Sequence, residues 1–267
     1  MSFVQTYGPW ALVTGASSGL GACYARALAA RGLNLIVTAR REERLRTLAE
    51  ELRAEHQILV DPVAVDLLRP AAVRSLEQAI EDRRLGLIVC NAGFGASGRF
   101  HELDARRQTE MVRLNCEAPV RLLQALSPAL IREGRGGVIM IASTASFQCT
   151  PWMAVYGASK AFDLALGEAL TVELGKHGID VLTVCPGHTA TEFHQVAGVE
   201  RAAVGGPPAD PMEVVEGSLR RLGKQMTWVH GARNRWMVRA NRFLPRSIMA
   251  WAAGRVLAKR LQDDDAS

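Results

Sequence analysis

The sequence predicts a single α/β domain with a parallel β-sheet covered by helices on both faces. Six short apolar segments alternate along the chain with six segments of helical periodicity. The apolar segments carry few polar residues, which is typical of parallel strands buried on both sides. The 267 residues, 48% of them hydrophobic, can bury one substantial core. These observations indicate a Rossmann-like, doubly wound sheet, whose ligands bind beyond the carboxyl ends of the strands.

Each predicted strand is a short apolar run, and each predicted helix carries Leu, Ala or Val at three- and four-residue spacing. In chain order the strands are Ala11–Thr14, Leu33–Ala39, Pro62–Val65, Leu87–Cys90, Val138–Ala142 and Val181–Cys185. The helices are Gly19–Arg31, Arg41–His56, Pro70–Arg83, Ala105–Glu133, Tyr156–His177 and Pro211–Lys224.

We assign residues 1–267 to one domain with two special segments. The stretch Gly205–Asp210 is rich in glycine and proline and precedes a helix, so residues 190–225 are predicted to form a substrate lid. Residues 232–262 form a basic C-terminal extension, in which the apolar spacing predicts two short amphipathic helices broken at Pro245.

Composition argues against several classes of protein. No run of about 18 apolar residues is present, and Met1–Pro9 lacks the basic and apolar regions of a signal peptide, so we expect a cytoplasmic protein. The five cysteines contain no Cys-x-x-Cys pair and are predicted to be buried thiols, neither disulfides nor metal ligands. The six histidines show no His-x-x-x-His spacing, so no metal site is predicted.

Charge is distributed unevenly along the chain. The segment Gly217–Gln262 contains eleven Lys or Arg and no acid, so the remainder must carry a net charge of −6 to give the total of +5. A solvated helix face explains such a segment, but anionic lipid, an acidic or CoA-linked substrate and an acidic subunit surface are alternatives. Nucleic acid is not expected as a partner, because no reader motif is present.

A glycine-rich turn follows the first predicted strand and opens a helix. Residues Thr14–Gly21 read Thr-Gly-Ala-Ser-Ser-Gly-Leu-Gly. Unpaired backbone N–H groups at such a helix start, together with the helix dipole, favour a pyrophosphate. Gly15 permits the tight turn, Gly19 close backbone approach, and Gly21 packing of the helix against the sheet. The Gly-x-x-x-Gly-x-Gly spacing differs from the general Gly-x-Gly-x-x-Gly dinucleotide fingerprint.

Other strand ends carry residues suited to the rest of a dinucleotide. At the end of the second strand, where an acid would bind the adenosine ribose, the chain has Arg40, which suits a 2′-phosphate. This favours NADP(H) over NAD(H), although Arg40 could also simply begin an exposed helix. Asp66 follows the third strand and could accept from the adenine amino group. Asn91, Ala92 and Gly93 follow the fourth strand and allow close backbone approach to the ribose.

Three residues point to carbonyl chemistry. Ser143 follows the strand Val138–Ala142, and Tyr156 and Lys160 lie four apart on the next helix, hence on one face. An ammonium beside a phenol favours its ionised form. A hydroxyl at a strand end and this face can therefore converge on one carbonyl.

Taken together, these residues resemble the short-chain dehydrogenase/reductase family over nearly the whole chain through Thr191. Thr14–Gly21 is similar to its cofactor turn, and Asn91-Ala-Gly93 to its Asn-Ala-Gly motif, although Cys90 stands where many members have a further Asn. The resemblance implies a catalytic tetrad of Asn115, Ser143, Tyr156 and Lys160. It also implies dimers or tetramers formed through the helices that hold Asn115 and Tyr156.

The predicted NADP(H) contacts combine the strand-end residues with the family's nicotinamide segment. They are Gly15, Ser17, Ser18, Gly19, Leu20, Gly21, Arg40, Asp66, Leu67, Asn91, Ala92, Gly93, Tyr156, Lys160, Pro186, Gly187, Thr189 and Thr191. The predicted substrate contacts are Ser143 and the apolar residues Phe94, Phe147, Trp152, Met153 and Phe193.

Apolar candidates near the tetrad suggest a hydrophobic ketone or its secondary alcohol as substrate, although core positions explain them equally well. Two further functions stay open at this point. The protein could be a non-catalytic NADP(H)-binding sensor, or a peripheral membrane protein that acts through its basic C-terminal tail.

Overall fold

A seven-stranded parallel sheet forms the centre of the molecule. The computed structural model describes residues 2–81, 83–198, 207–241, 243–245 and 247–255. The strands are β1 (Trp10–Thr14), β2 (Asn34–Ala39), β3 (Val60–Ala64), β4 (Leu85–Cys90), β5 (Gly136–Ile141), β6 (Ile179–Cys185) and β7 (Thr227–Val229). Their order is β3-β2-β1-β4-β5-β6-β7, and every neighbouring pair is parallel.

Helices surround this sheet and supply the layers that bury it. They are α1 (Phe3–Tyr7), α2 (Gly19–Ala29), α3 (Glu42–His56), α4 (Ala72–Ile80), α5 (Ala105–Val112), α6 (Ala118–Glu133), α7 (Ala154–Gly175), α8 (Phe193–Ala197), α9 (Pro211–Leu219) and α10 (Ala232–Asn241). A π-helical segment, Arg113–Glu117, joins α5 to α6, and a 3₁₀ helix, Thr144–Phe147, follows β5. Residues 247–255 are also helical.

Two hydrophobic clusters cover the sheet. One contains Leu28 of α2, Leu45 of α3 and Val214 of α9, and the other contains Leu76 of α4 and Leu126 of α6. All five side chains are at most 3% exposed. The predicted doubly wound α/β fold is therefore confirmed.

The direction of strand addition reverses between β1 and β4. The chain adds β2 and β3 on one side of β1 and adds β4 to β7 on the other. At such a reversal the loops leave the carboxyl ends of the two strands in opposite directions and open a crevice. The functional site is therefore expected beyond Thr14 and Cys90.

Several element boundaries differ from the sequence prediction. The periodicity predicts one helix over Ala105–Glu133, but the structure inserts the π-helical turn between α5 and α6. Pro119 lacks an N–H and cannot donate the α-helical bond to the carbonyl of Asn115, which favours irregularity here. Strand β7 was not predicted, because three residues are too few to show periodicity.

The two special segments are only partly described. In the predicted lid, residues 199–206 lie outside the described residues, α8 borders the cavity described below, and α9 packs into the core beside α2. In the C-terminal extension, α10 ends at Asn241, residues 243–245 are not helical, and residues 247–255 form a helix. Residues 256–262 of that extension lie outside the described residues.

Candidate active site

A cavity of about 460 Å³ opens at the carboxyl ends of the strands, at the reversal between β1 and β4. It brings together most of the residues predicted to bind the cofactor. Those that line it are Gly15, Ser17, Ser18, Gly19, Leu20, Arg40, Asp66, Leu67, Asn91, Ala92, Gly93, Tyr156, Lys160, Pro186, Gly187, Thr189 and Thr191.

The glycine turn has a backbone that few other residues could adopt. Gly15 and Gly19 have φ angles of +68° and +56°, in the left-handed region that favours glycine. Gly21 does not line the cavity. A Cβ at Gly21 would collide with the carbonyl of Gly15 and the side-chain amide of Asn91, so this glycine lets α2 approach the turn. The turn with the start of α2 fits a pyrophosphate group.

Thr14 and Asn91 fix the ends of β1 and β4 against each other. The Thr14 hydroxyl donates to the carbonyl of Val89 at 3.1 Å and accepts from the backbone N–H groups of Asn91 and Ala92 at 2.9 and 3.0 Å. The Asn91 amide donates to the Thr14 carbonyl at 2.9 Å. Asn91 thus shapes the floor of the crevice, a role that the sequence alone did not distinguish from cofactor contact.

Two arginines stand at the far end of the cavity. Arg40 and Arg41 line it beyond β2, where Ala39 leaves no acid to bind a ribose. Arg41 donates to the hydroxyls of Ser17 at 3.1 Å and Ser18 at 2.6 Å, and forms an ion pair with Glu192 at 2.8 Å. This concentrates positive charge beside the glycine turn.

Glu192 also receives an ion pair from Arg44 of α3, at 2.6 Å. Hydrogen bonds from Arg41 and Arg44 lower the pKa of Glu192 to about 2. The carboxylate is therefore ionised throughout the physiological pH range. It ties the segment leading into α8 to the arginine end of the cavity.

At the other end, Ser143, Tyr156 and Lys160 line the same cavity. The hydroxyl of Ser143 accepts from the N–H of Ala145 at 3.1 Å, in a capping box that fixes the 3₁₀ helix. Burial raises the pKa of Tyr156, whereas Lys160 and a hydrogen bond with Ser143 act to lower it. Burial is the largest effect and Asp163 adds to it, so the pKa of Tyr156 is raised overall, and Lys160 and Ser143 offset part of that rise.

Lys160 is buried, and its ammonium donates to the carbonyl of Ile141 at 2.8 Å and to the carboxylate of Asp163 at 2.9 Å. Burial acts to lower the pKa of Lys160, but Asp163 and Tyr156 outweigh it, so the net direction is upward. Lys160 therefore stays protonated beneath the phenol.

Asn115 lies in the π-helical segment and is 1% exposed. Its amide oxygen accepts from the N–H of Phe94 at 3.1 Å, and its amide nitrogen donates to the Phe94 carbonyl at 3.0 Å and the Ser159 hydroxyl at 2.9 Å. Ser159 in turn donates to the carbonyl of Tyr156 at 2.8 Å. Asn115 thus connects the segment after β4 to α7.

The wall beside Tyr156 is apolar. Phe94, Met153 and Phe193 line the cavity, and the rings of Phe193 and Tyr156 lie 5.1 Å apart. Phe147 and Trp152 are not among the lining residues. Phe147 packs instead against a cluster that includes Leu164.

The sequence predicted no role for Arg41, Asp163 or Glu192, and it placed Thr14 in the cofactor turn without its bonds to β4. Arg41 adjoins Arg40, and Asp163 lies one helical turn after Lys160, so position alone could have indicated both. Thr14 and Glu192 gave no such signal, because their partners are distant in sequence. All five cysteines are free, but only Cys185 is buried, while Cys23, Cys90 and Cys116 are half-buried and Cys149 is exposed, so the prediction of buried thiols is wrong for four of them.

Within the described part of the chain, no group of three potential metal-ligating side chains is assembled. No helix among the same residues is both long and apolar enough to cross a membrane.

Comparison with known proteins places this geometry in a family. The short chain dehydrogenase family model matches residues 9–201. The chain is 29% identical over 238 residues to a 7beta-hydroxysteroid dehydrogenase of Mediterraneibacter gnavus, which covers 88% of this chain and 90% of that protein.

Solved structures of short-chain dehydrogenases are also similar to this chain. A short-chain dehydrogenase from Sphingobium yanoikuyae in complex with NADPH is 35% identical, with a TM-score of 0.79, over 88% of this chain and 94% of the other. A bulky-bulky ketone specific alcohol dehydrogenase from Comamonas testosteroni is 34% identical, with a TM-score of 0.76, over 89% and 93%. The chain therefore belongs to the short chain dehydrogenase family, and it is an oxidoreductase acting on CH–OH and C=O groups.

Proposed function

We propose that the protein is an NADP(H)-dependent oxidoreductase that interconverts a bulky hydrophobic ketone and its secondary alcohol. The observation that carries this proposal is that Ser143, Tyr156 and Lys160 line one cavity with the glycine turn. A nicotinamide bound there would supply the hydride for reduction and accept it in oxidation. The chain's own residues must then hold the substrate oxygen and move its proton.

Tyr156 is the general acid in reduction and the general base in oxidation. An ordinary tyrosine has a pKa near 10, so facile proton exchange at pH 7 needs about 4 kcal/mol of differential stabilisation. The buried Lys160 ammonium provides part of this by favouring the phenolate. Ser143 donates a hydrogen bond to the substrate oxygen and holds it beside the phenol.

Asn115 completes the tetrad as an organising residue. Its hydrogen bonds to Phe94 and Ser159 fix the wall of the cavity against α7, which carries both Tyr156 and Lys160. By the resemblance, we propose that a water held near Asn115 links Lys160 to solvent. The π-helical turn and Pro119 support this, because the carbonyl of Asn115 receives no α-helical bond from Pro119.

The preference for NADP(H) over NAD(H) rests on the arginine end of the cavity. Arg40 and Arg41 supply two guanidinium groups where a 2′-phosphate would lie, and the first acids after β2, Glu42 and Glu43, do not line the cavity. The NADPH complex of the Sphingobium yanoikuyae relative supports this choice.

We infer the substrate class from the apolar end of the cavity, beside Tyr156. Phe94, Met153, Phe193 and Val196 line the cavity there and favour an apolar body with one carbonyl or hydroxyl group. Two relatives whose names specify a steroid and a bulky ketone agree with this choice. We propose a ring system or aryl ketone with two large substituents.

The direct test is turnover. Purified protein would be supplied with NADPH and a panel of steroid and aryl ketones, and oxidation of NADPH would be followed by absorbance. We expect turnover of bulky ketones, and Tyr156→Phe should reduce it by about 10²- to 10⁴-fold while the dissociation constant for NADPH changes little. Lys176→Ala is the control, because Lys176 is exposed and directly follows α7, the helix that carries Tyr156.

Two results would contradict the proposal. Equal turnover in the wild type and Tyr156→Phe would remove the phenol from the chemistry. Tight NADPH binding without turnover across the whole panel would favour the cofactor-binding sensor.

A second candidate role rests on the C-terminal surface, which we define as the exposed apolar residues Trp236, Phe243, Leu244, Ile248 and Trp251 with the exposed arginines 233, 235, 239 and 255. Trp236 and Trp251 are 73% and 74% exposed. Aromatic and basic residues together suit the interface of an anionic membrane. We propose that this surface binds anionic lipid independently of turnover.

A further inference from the structure

Asp163 is a buried acid that packing alone does not explain. It lies one turn after Lys160 on α7, and its side chain is 5% exposed. One carboxylate oxygen accepts from the Lys160 ammonium at 2.9 Å, while the other has no hydrogen-bond partner within the described residues. Burying a half-satisfied carboxylate costs free energy that an apolar residue of similar volume would avoid. The presence of Asp163 is therefore explained better by its contact with Lys160 than by packing.

Asp163 and Lys160 also border a second, much smaller cavity. Its volume is about 10 Å³, and its lining includes Asn115 and Cys90. This is close to the smallest space that holds one water molecule beside polar groups. The underside of Lys160 thus borders a small space with room for about one water, and Leu114, Ile141 and Lys160 line both this space and the large cavity.

We propose that Asp163 is a positioning residue that anchors the Lys160 ammonium beneath Tyr156 and offsets part of its charge, so that it sets the pH range in which Tyr156 exchanges its proton. The inference deepens the function proposed above and rests on Tyr156 acting as the acid and base. It assigns Asp163 no contact with substrate or cofactor.

Two acceptors hold the Lys160 ammonium in place. The ammonium is held between the carbonyl of Ile141 on β5 and the carboxylate of Asp163 on its own helix. If the Asp163 carboxylate were removed, the Ile141 carbonyl would be the acceptor that the structure describes for the Lys160 ammonium. Lys160 would then be free to move away from the phenol.

The electrostatic part follows from the groups that face the phenol. Lys160 and Asp163 act from α7, Ser143 from the segment after β5, and Cys185 from β6. Lys160 favours the phenolate, whereas Asp163 opposes it.

The nearby thiols do not add charge near pH 7. Burial raises the pKa of Cys90 to about 12, that of Cys116 to about 11 and that of Cys185 to about 12. Burial raises the pKa of Asp163 itself, whereas the Lys160 ammonium and its hydrogen bond act to lower it. In its ionised form, Asp163 is consequently the negative group that limits the effect of Lys160 on Tyr156.

Two substitutions separate the anchor from the charge. Asp163→Asn removes the charge and keeps an oxygen that can accept from Lys160, whereas Asp163→Leu removes both and keeps the branched shape of the side chain. Glu173→Gln removes an exposed acid from the same helix and serves as the matched control. Thermal melting of each variant would establish that it is folded.

The pH profile of kcat/KM for alcohol oxidation with NADP⁺ is the first readout. The base must be ionised for oxidation, so a lower pKa of Tyr156 moves the rise of the profile to lower pH. We expect Asp163→Asn to move it down by about one pH unit. Asp163→Leu should also lower kcat by about tenfold or more, because Lys160 loses its anchor. Glu173→Gln should leave both unchanged.

Absorbance titration of the phenolate supplies a readout that needs no substrate. The sequence holds three tyrosines, and subtraction of Tyr156→Phe isolates the signal of Tyr156. We expect its midpoint to fall in Asp163→Asn. If neither the midpoint nor the profile moves in Asp163→Asn, the inference is wrong. If the wild type turns over no alcohol or ketone but the midpoint falls, the proposed function fails while the role of Asp163 stands.

Discussion

Arg40 is the residue on which the proposed cofactor preference depends. It lines the cavity beyond β2, where its guanidinium can meet a 2′-phosphate that NADH lacks. A charge-assisted hydrogen bond of this kind contributes about 1.5 to 3 kcal/mol, so its loss should be visible in one cofactor and not in the other.

We therefore expect Arg40→Ala to weaken NADPH binding by about 10- to 100-fold and to change NADH binding less than about twofold. Fluorescence titration with both cofactors measures this. Arg46→Ala is the control, because Arg46 is an exposed arginine that pairs with Glu42 at 2.6 Å on the same helix, α3. Equal weakening of both cofactors by Arg40→Ala would contradict the 2′-phosphate assignment.

The ion pairs of Glu192 act between elements. They join α3, through Arg44, to the segment that leads into α8, while Arg41 also holds the serines of the glycine turn. These side chains are more than a third exposed, so the pairs add little to the free energy of unfolding. Their consequence is local, because Glu192 neutralises positive charge at the proposed 2′-phosphate position.

Glu192→Gln should consequently strengthen NADPH binding by a few-fold and leave NADH binding nearly unchanged. The pKa of Glu192 lies below its ordinary value, at about 2, so the stabilising pair is present above the unfolded-state pKa and is lost as the pH falls towards 2. The gain in NADPH affinity should thus be the same at pH 7.5 and pH 8.5 in titrations, because Glu192 and the 2′-phosphate, whose second pKa is about 6, are both ionised there. Glu102→Gln, at an exposed pair with Arg99, is the control. Weaker NADPH binding in Glu192→Gln would show that the carboxylate supports the site.

Element identity was more predictable than element boundaries. The six main strands and the chemistry-bearing turns follow from apolar runs and local motifs, which the chain encodes within a few residues. The π-helical turn at Asn115, strand β7 and the partners of Glu192 depend on contacts between distant segments. The periodicity of one segment does not reveal contacts with distant segments. For the same reason, the sequence wrongly predicted that Phe147 lines the cavity.

At the scale of the whole molecule, charge is divided between the enzyme body and the C-terminal surface. The segment Gly217–Gln262 holds eleven basic residues and no acid, residues 1–216 carry a net charge of −3, and the three acids Asp263, Asp264 and Asp265 follow the basic segment. Within the described residues, the four arginines of the C-terminal surface form no ion pair. Such a division favours contact with an anionic surface, either a membrane or the acidic body of a second subunit.

Vesicle binding distinguishes these partners. We expect the wild type to sediment with vesicles containing phosphatidylserine and not with neutral vesicles, and to dissociate at high salt, because each exposed arginine near an anionic surface contributes about 1 kcal/mol. Replacing Arg233, Arg235 and Arg239 with Gln should reduce binding at least tenfold while ketone turnover is unchanged. Replacing Arg46, Arg69 and Arg74, three exposed arginines outside the C-terminal surface, with Gln controls for total charge.

Light scattering on the same variants measures the competing outcome. The family resemblance predicts a dimer or tetramer formed through the helices that hold Asn115 and Tyr156, so the C-terminal substitutions should leave the oligomeric state unchanged. If the wild type ignores anionic vesicles and the triple variant changes its oligomeric state, the C-terminal surface contacts another subunit and the membrane role is wrong. The salt dependence would then belong to assembly, because the basic surface would be facing the acidic body of a neighbouring copy.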